Sequence, residues 1–135
     1  LVSCEKKPIY KRGDTWYKIN SEEPYTGSTT TKYESGKIHS RVYLKNGKED
    51  GLYTEWYENG QKNLEIDYKD GKEDGLWVEW YENGQKLGEI NFKDGKRDGL
   101  EKRWFKNGKK LFERIYKDDE LISNKEWNKD GSVRK

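Results

Sequence analysis

Few side chains in this sequence are equipped for chemistry, and they lie apart. His39 is the sole histidine, set between Ile38 and Ser40 and near Glu34. A hydrolytic relay needs a base beside a nucleophile and an acid that orients it, and no spacing around His39 supports one. A solvated strand histidine is the expectation. Asp70 with Glu73-Asp74, and Asp94 with Arg97-Asp98, suggest a cation site by charge. They lack the dense alternating oxygens of a calcium loop, and Lys72 or Lys96 interrupts each group. They read as turn chemistry and as charge that discourages edge pairing. The one thiol, Cys4, can form no internal disulfide and has too few neighbours for a metal site. No catalytic residue, metal ligand or cofactor is expected, and the chain reads as non-enzymatic. What remains is surface chemistry. Tyr53, Tyr57, Trp77, Tyr81 and Phe105 share odd parity, and same-phase residues 24 apart should align as an aromatic strip. Such a strip reads first as the second side of a thin twisted sheet, partly covered by neighbouring turns. It reads otherwise as a platform for a peptide strand, a partner protein or a glycan, because Tyr and Trp bring contact area at low entropic cost.

The elements that would carry such a strip follow from a repeat. Residues 51–74 read GLYTEWYENGQKNLEIDYKDGKED, residues 75–98 read GLWVEWYENGQKLGEINFKDGKRD, and the pattern runs on from Gly99. Upstream, 27–50 is a degenerate copy holding Tyr33, Gly36, Asn46-Gly47 and Glu49-Asp50 in phase. Gly36, Gly47, Gly60, Gly71, Gly84, Gly95 and Gly108 punctuate the chain at alternating steps of 11 and 13, each after Ser, Asn or Asp. That is the short-range signature of hairpins. The intervening runs of Trp, Tyr, Ile and Leu are too short for helices. The fold expected is all-β: an elongated, twisted antiparallel meander with two strands per 24-residue unit. Units lie at 27–50, 51–74, 75–98 and 99–121. A tether at 1–13 and a cap hairpin at 14–26 precede them, and a partial capping unit at 122–135 follows. One such unit cannot offset its ordering entropy, whereas a stack can.

Register can be argued from the glycines. A three-residue loop such as Glu58-Asn59-Gly60 sets even residues opposite even ones, which gathers the richer apolar set on one side. Type I turns with a glycine bulge are therefore expected throughout, with a core of Trp56, Tyr68, Trp80, Phe92, Trp104, Phe112 and Tyr116. Leu52, Leu76 and Leu100 fall on the same parity. The last unit is one residue short before Trp127, which changes that residue's parity.

Composition fits a thin, wet sheet. Charged residues make up 40% and hydrophobic ones 30%, yet 14% are aromatic, which argues against disorder. Basic and acidic residues nearly cancel at +2 with no long run of one sign, so no nucleic-acid partner is expected. No apolar run is long enough for a membrane-spanning helix.

Two resemblances add to this. The recurring G-L-x-x-x-W-Y-x-N-G-x-K, followed by Y-K-D-G-K-x-D-G, resembles the bacterial MORN-repeat variant of the YwqK-type antitoxin family. The match runs through Gly51, Trp56, Tyr57, Asn59, Gly60, Asp70 and Gly71 and their counterparts 24 residues on, across roughly residues 14–131. Lys32 stands where the first unit should have Trp. The resemblance implies a hairpin array used at membranes and in protein–protein contacts. Leu1-Val2-Ser3-Cys4 resembles the bacterial lipobox, which implies cleavage before Cys4, lipid on its thiol and attachment to a membrane. The lack of any Met, even at position 1, fits a trimmed chain. The combined expectation is a lipoprotein of the cell envelope whose array binds a protein. Its alternatives are a cytoplasmic antitoxin bound to a toxin, and a cell-wall glycan module. The last is disfavoured because choline- and glucan-binding repeats, which Trp-rich hairpins also resemble, have a shorter period and paired Gly-Trp starts.

Overall fold

A computed structural model of the chain describes the backbone of Val2–Ser3 and residues 9–135, and among these it holds strands and turns but no helix. The strands are β1 (Val2–Ser3), β2 (Ile9–Arg12), β3 (Thr15–Lys18), β4 (Gly27–Tyr33), β5 (Ile38–Lys45), β6 (Lys48–Glu49) and β7 (Gly51–Trp56). They continue as β8 (Lys62–Lys69), β9 (Lys72–Trp80), β10 (Lys86–Lys93), β11 (Lys96–Trp104), β12 (Lys110–Lys117) and β13 (Glu120–Glu126). One sheet runs β1-β4-β5-β7-β8-β9-β10-β11-β12-β13 with β6 beside β5, every pair antiparallel, while β2 and β3 form a separate hairpin. This is the all-β meander that the glycine spacing predicts.

The turns are of two kinds, not one. At Gly60 the three-residue loop appears as expected: its N–H donates to the Tyr57 carbonyl (2.9 Å), and the Tyr57 N–H donates to the Gln61 carbonyl (2.8 Å). Gly36, Gly84, Gly108 and Gly131 close in the same way. At Gly47, Gly71 and Gly95 the loop has two residues, both left-handed: φ is 51° and 78° at Asn46-Gly47 and 49° and 81° at Asp70-Gly71. This is the mirror-image turn whose twist matches the flanking strands, and Asn and Asp tolerate its first position.

The register also differs from the even-to-even pairing expected, for a related reason. Trp56 does face Lys62, but the next pair is Glu55 with Leu64, so Asn63 forms a one-residue bulge. Leu87, Leu111 and His39 are skipped in the equivalent hairpins. Beyond each bulge odd residues face even ones, and one row crosses the sheet as Tyr53, Ile66, Trp77, Ile90, Glu101, Arg114 and Asn124. The expected core is thereby divided. Tyr68, Phe92, Phe112 and Tyr116 share the face of that row. Trp56, Trp80 and Trp104 lie on the other, beside Thr54, Val78 and Lys102. Of the seven, Phe112 and Tyr116 are buried and the rest are half-buried, while Leu52 and Leu76 are exposed. Ile9, Leu44, Ile66 and Val78 complete the buried apolar set.

Both long edges of the ribbon are stapled from unit to unit. On one, the phenol hydroxyls of Tyr33, Tyr57 and Tyr81 donate to the carbonyls of Trp56 (2.7 Å), Trp80 (2.7 Å) and Trp104 (3.0 Å). On the other, the N–H groups of Gly47, Gly71, Gly95 and Asp119 donate to the carbonyls of Tyr25, Glu49, Glu73 and Arg97 at 2.7–2.9 Å.

The ends also differ from expectation. The N-terminal hairpin starts at Ile9, which is buried, so the polar tether does not extend to residue 13. Trp16 docks it, donating its N–H to the Gly47 carbonyl and accepting from the Tyr25 N–H. At the C-terminus, β13 begins at Glu120, before the expected boundary at 122. The missing residue falls in the β12–β13 bulge between Ile115 and Tyr116. Trp127 therefore keeps the position next to the turn that Trp80 and Trp104 hold, and its changed parity has no effect on its face.

Candidate interaction site

The face carrying Tyr53 and Trp77 is built from three recurring positions. The first holds Tyr53, Trp77 and Glu101; the second, two residues on, holds Glu55, Glu79 and Arg103; the third holds Tyr68, Phe92 and Tyr116. In the units at 51–74 and 75–98 the aromatic donates to the carboxylate: Tyr53 Oη to Glu55 Oε1 at 2.5 Å, and Trp77 Nε1 to Glu79 Oε1 at 3.0 Å. The ring then meets its cross-strand neighbour, Tyr53 edge-on to Tyr68 at 6.4 Å and Trp77 tilted over Phe92 at 5.7 Å. Each pair satisfies the polar tip of the aromatic while its body stays available as apolar surface. Burial, and then the bond to Glu55, push the Tyr53 phenol far above its ordinary value, so it remains a neutral donor.

The unit at 99–121 breaks the pattern. Glu101 stands where the aromatic was; it is buried, and its Oε2 has no hydrogen-bond partner. Arg103 reaches back to Glu101 Oε1 (3.9 Å) and Glu79 Oε2 (3.5 Å). Arg114 lies over Phe112 and pairs with Glu126, and Arg97 lies over Tyr116. Beyond β10 the rings of this face, Phe112 and Tyr116, are overlaid by arginines, and its first two positions are charged.

At its N-terminal end the face closes into a hollow of about 230 Å³. Trp16, Tyr53 and Tyr68 supply its rings and Glu49 its carboxylate, while Thr29, Thr31, Ser40 and Val42 form the strand side. Trp16 Nε1 donates to Glu49 Oε1 at 3.0 Å, which joins the docked hairpin to the sheet.

Of the five residues expected to form one strip, the structure brings Tyr53 and Trp77 to this face. Tyr57, Tyr81 and Phe105 instead open the Asn-Gly turns, where the two tyrosines serve as the edge rungs described above. Their place immediately before each N-G turn, outside the strands, was the available signal. Trp16, Glu49 and Ser40 had none, since they meet only after the hairpin docks. Cys4 lies outside the described residues. His39 Nδ1 is 3.0 Å from Thr31 Oγ1, and its ring stands edge-on to Tyr33, so the imidazole meets a hydroxyl and a phenol ring. Of the turn carboxylates, Asp94 pairs with Lys72 of β9 and Asp98 with Lys117 of β12, each reached from another element. Among the described residues, no group of three or more His, Cys, Asp or Glu is gathered for a metal.

Fold and site together define a repeat array of β-hairpins with an aromatic face. The MORN repeat variant matches residues 49–70, 73–94 and 97–118, so the middle of the chain is three tandem MORN repeats. Each match runs from one two-residue turn to the next. No curated protein matches the chain. MORN repeats are in general non-enzymatic interaction modules, and the three repeats give this chain the form of such a repeat-based array.

Proposed function

We propose that this protein is a lipid-anchored module of the cell envelope that binds a protein partner through the aromatic half of its sheet. The observation that carries the binding role is the half-buried set Tyr53, Tyr68, Trp77 and Phe92. It lies on one face of a single-layer sheet that, among the described residues, only the β2–β3 hairpin overlaps. Amphipathic rings with satisfied polar tips are the side chains that anchor interfaces. The anchor rests on Leu1-Val2-Ser3-Cys4. In this reading the pairing of Val2 and Ser3 with Tyr33 and Lys32 belongs to the precursor alone, because cleavage before Cys4 removes β1.

Intact mass separates the anchor from its alternative. Expression of the full-length gene in a bacterial host should give a chain that begins at Cys4 and carries acyl groups, both lost in Cys4→Ala. An uncleaved chain with a free thiol would redirect the search to a cytoplasmic partner such as a toxin. The binding role is tested separately, by whether Tyr53→Ser with Trp77→Ser releases a partner that the wild type retains.

A further inference from the structure

The hollow at the N-terminal end of the aromatic face is more selective than the strip beyond it. The rings of Tyr53 and Tyr68 stand at 90° with centroids 6.4 Å apart, which makes a corner, and the indole of Trp16 supplies a further wall. Glu49 is the one formally charged side chain among the described residues that line it. The face of an aromatic ring is the negative end of its quadrupole, so three rings and a carboxylate attract a cation and repel an anion. The hydroxyls of Thr31 and Ser40 add acceptors at the strand side.

We propose that this hollow binds an alkylammonium group, seated among Trp16, Tyr53 and Tyr68 and paired with the Glu49 carboxylate. The chain displays the same preference on itself. Lys11 Nζ lies 5.4 Å from the centroid of Trp16 and 3.6 Å from Glu49 Oε1. The Lys11 side chain is 44% exposed, so an incoming cation displaces it towards solvent and meets it as a competitor. A volume of about 230 Å³ admits an ammonium head with a few methylenes but not a folded segment. The ligand therefore enters head first, as a free amine or as a lysine side chain presented by a partner. The second source rests on the interaction reading above; the cation chemistry does not.

The test is a titration of the full chain followed at the indole N–H resonance of Trp16. The probes are tetramethylammonium, butylammonium, neutral butanol and acetate. Both cations should shift the resonance saturably, and butanol and acetate should not. Glu49→Gln keeps an acceptor for Trp16 and should weaken butylammonium about tenfold. Lys11→Ala, a change at a partly exposed side chain, should strengthen it several-fold. A lysine tripeptide that binds more tightly than butylammonium, and more tightly than its norleucine analogue, identifies a partner side chain as the source. Equal affinity of tripeptide and butylammonium identifies a free amine. Equal shifts from butanol and butylammonium would overturn the proposal, as would an unchanged affinity in both variants.

Discussion

A single hydroxyl separates Phe105 from Tyr33, Tyr57 and Tyr81. Where it is present it joins one repeat to the next; at Phe105 the equivalent bond, to the Trp127 carbonyl, has no donor. Tyr57→Phe should lower stability by about 1 kcal/mol, and Phe105→Tyr should raise it by a similar amount, both read as shifts in urea midpoint at constant m-value. Glu101 offers a second case. Its buried carboxylate oxygen lacks a partner at a position where the other repeats place Tyr53 and Trp77. Glu101→Leu removes that desolvated group and should stabilise the sheet by about 1–3 kcal/mol, provided the Arg103 contact to Glu79 survives. Residue identities alone revealed which positions recur every 24 residues. They did not separate Tyr57, which staples an edge, from Tyr53, which lies on a face, because both are odd-numbered aromatics of one unit. The difference is made by one backbone carbonyl, that of Trp80, supplied by the next repeat.

Among the elements, the hairpins follow from Asn-Gly and Asp-Gly, but the length of each loop does not. The same dipeptide type closes a three-residue loop at Gly60 and a two-residue loop at Gly71. The bulges at Asn63, Leu87 and Leu111 carry no residue signature of their own, since an Asn or Leu there reads as an ordinary strand position. That is why the meander of hairpins is legible in the sequence while the face of each residue is not. The docking of the N-terminal hairpin makes a prediction at this scale. A Cβ on Gly47 would stand 2.5 Å from Thr15 Cγ2 and 2.7 Å from the Trp16 carbonyl, whereas one on Gly36 meets nothing within 4 Å. Both glycines are left-handed, at 78° and 86°. Gly36→Ala should cost about 1 kcal/mol for its backbone conformation. Gly47→Ala should cost clearly more and accelerate hydrogen exchange in Ile9–Arg12 and Thr15–Lys18, since the added atom pushes against the hairpin itself.

For the molecule as a whole, the charge pattern sets a window of pH. Asp14, Asp98, Glu113, Asp119, Glu126 and Asp130 are held below the usual carboxylate values, in each case mainly by a hydrogen bond from a side chain or from the backbone. Their stabilisation is present above those usual values and is lost as pH falls through the lower folded ones. Burial raises Tyr33, Tyr53, Tyr57 and Tyr68, whose stabilisation is complete below about pH 10 and is lost as pH rises through their folded values. Urea midpoints should therefore form a plateau between about pH 5 and 9 and fall on either side, with tyrosinate absorbance appearing together with unfolding on the alkaline limb. The array, its period and its all-β class were legible because every unit repeats the same local grammar. The hollow was not, because Trp16 and Glu49 are 33 residues apart and belong to different elements.

The aromatic face as a partner-binding surface is put to the test by capture from an envelope extract of the source cell. Three forms of the chain would be compared: wild type, Tyr53→Ser with Trp77→Ser, and Tyr57→Phe as a control for stability. The wild type and Tyr57→Phe should retain the same protein, and the double variant should release it. Retention by all three forms, or by none, would contradict the assignment of the aromatic face as the working surface.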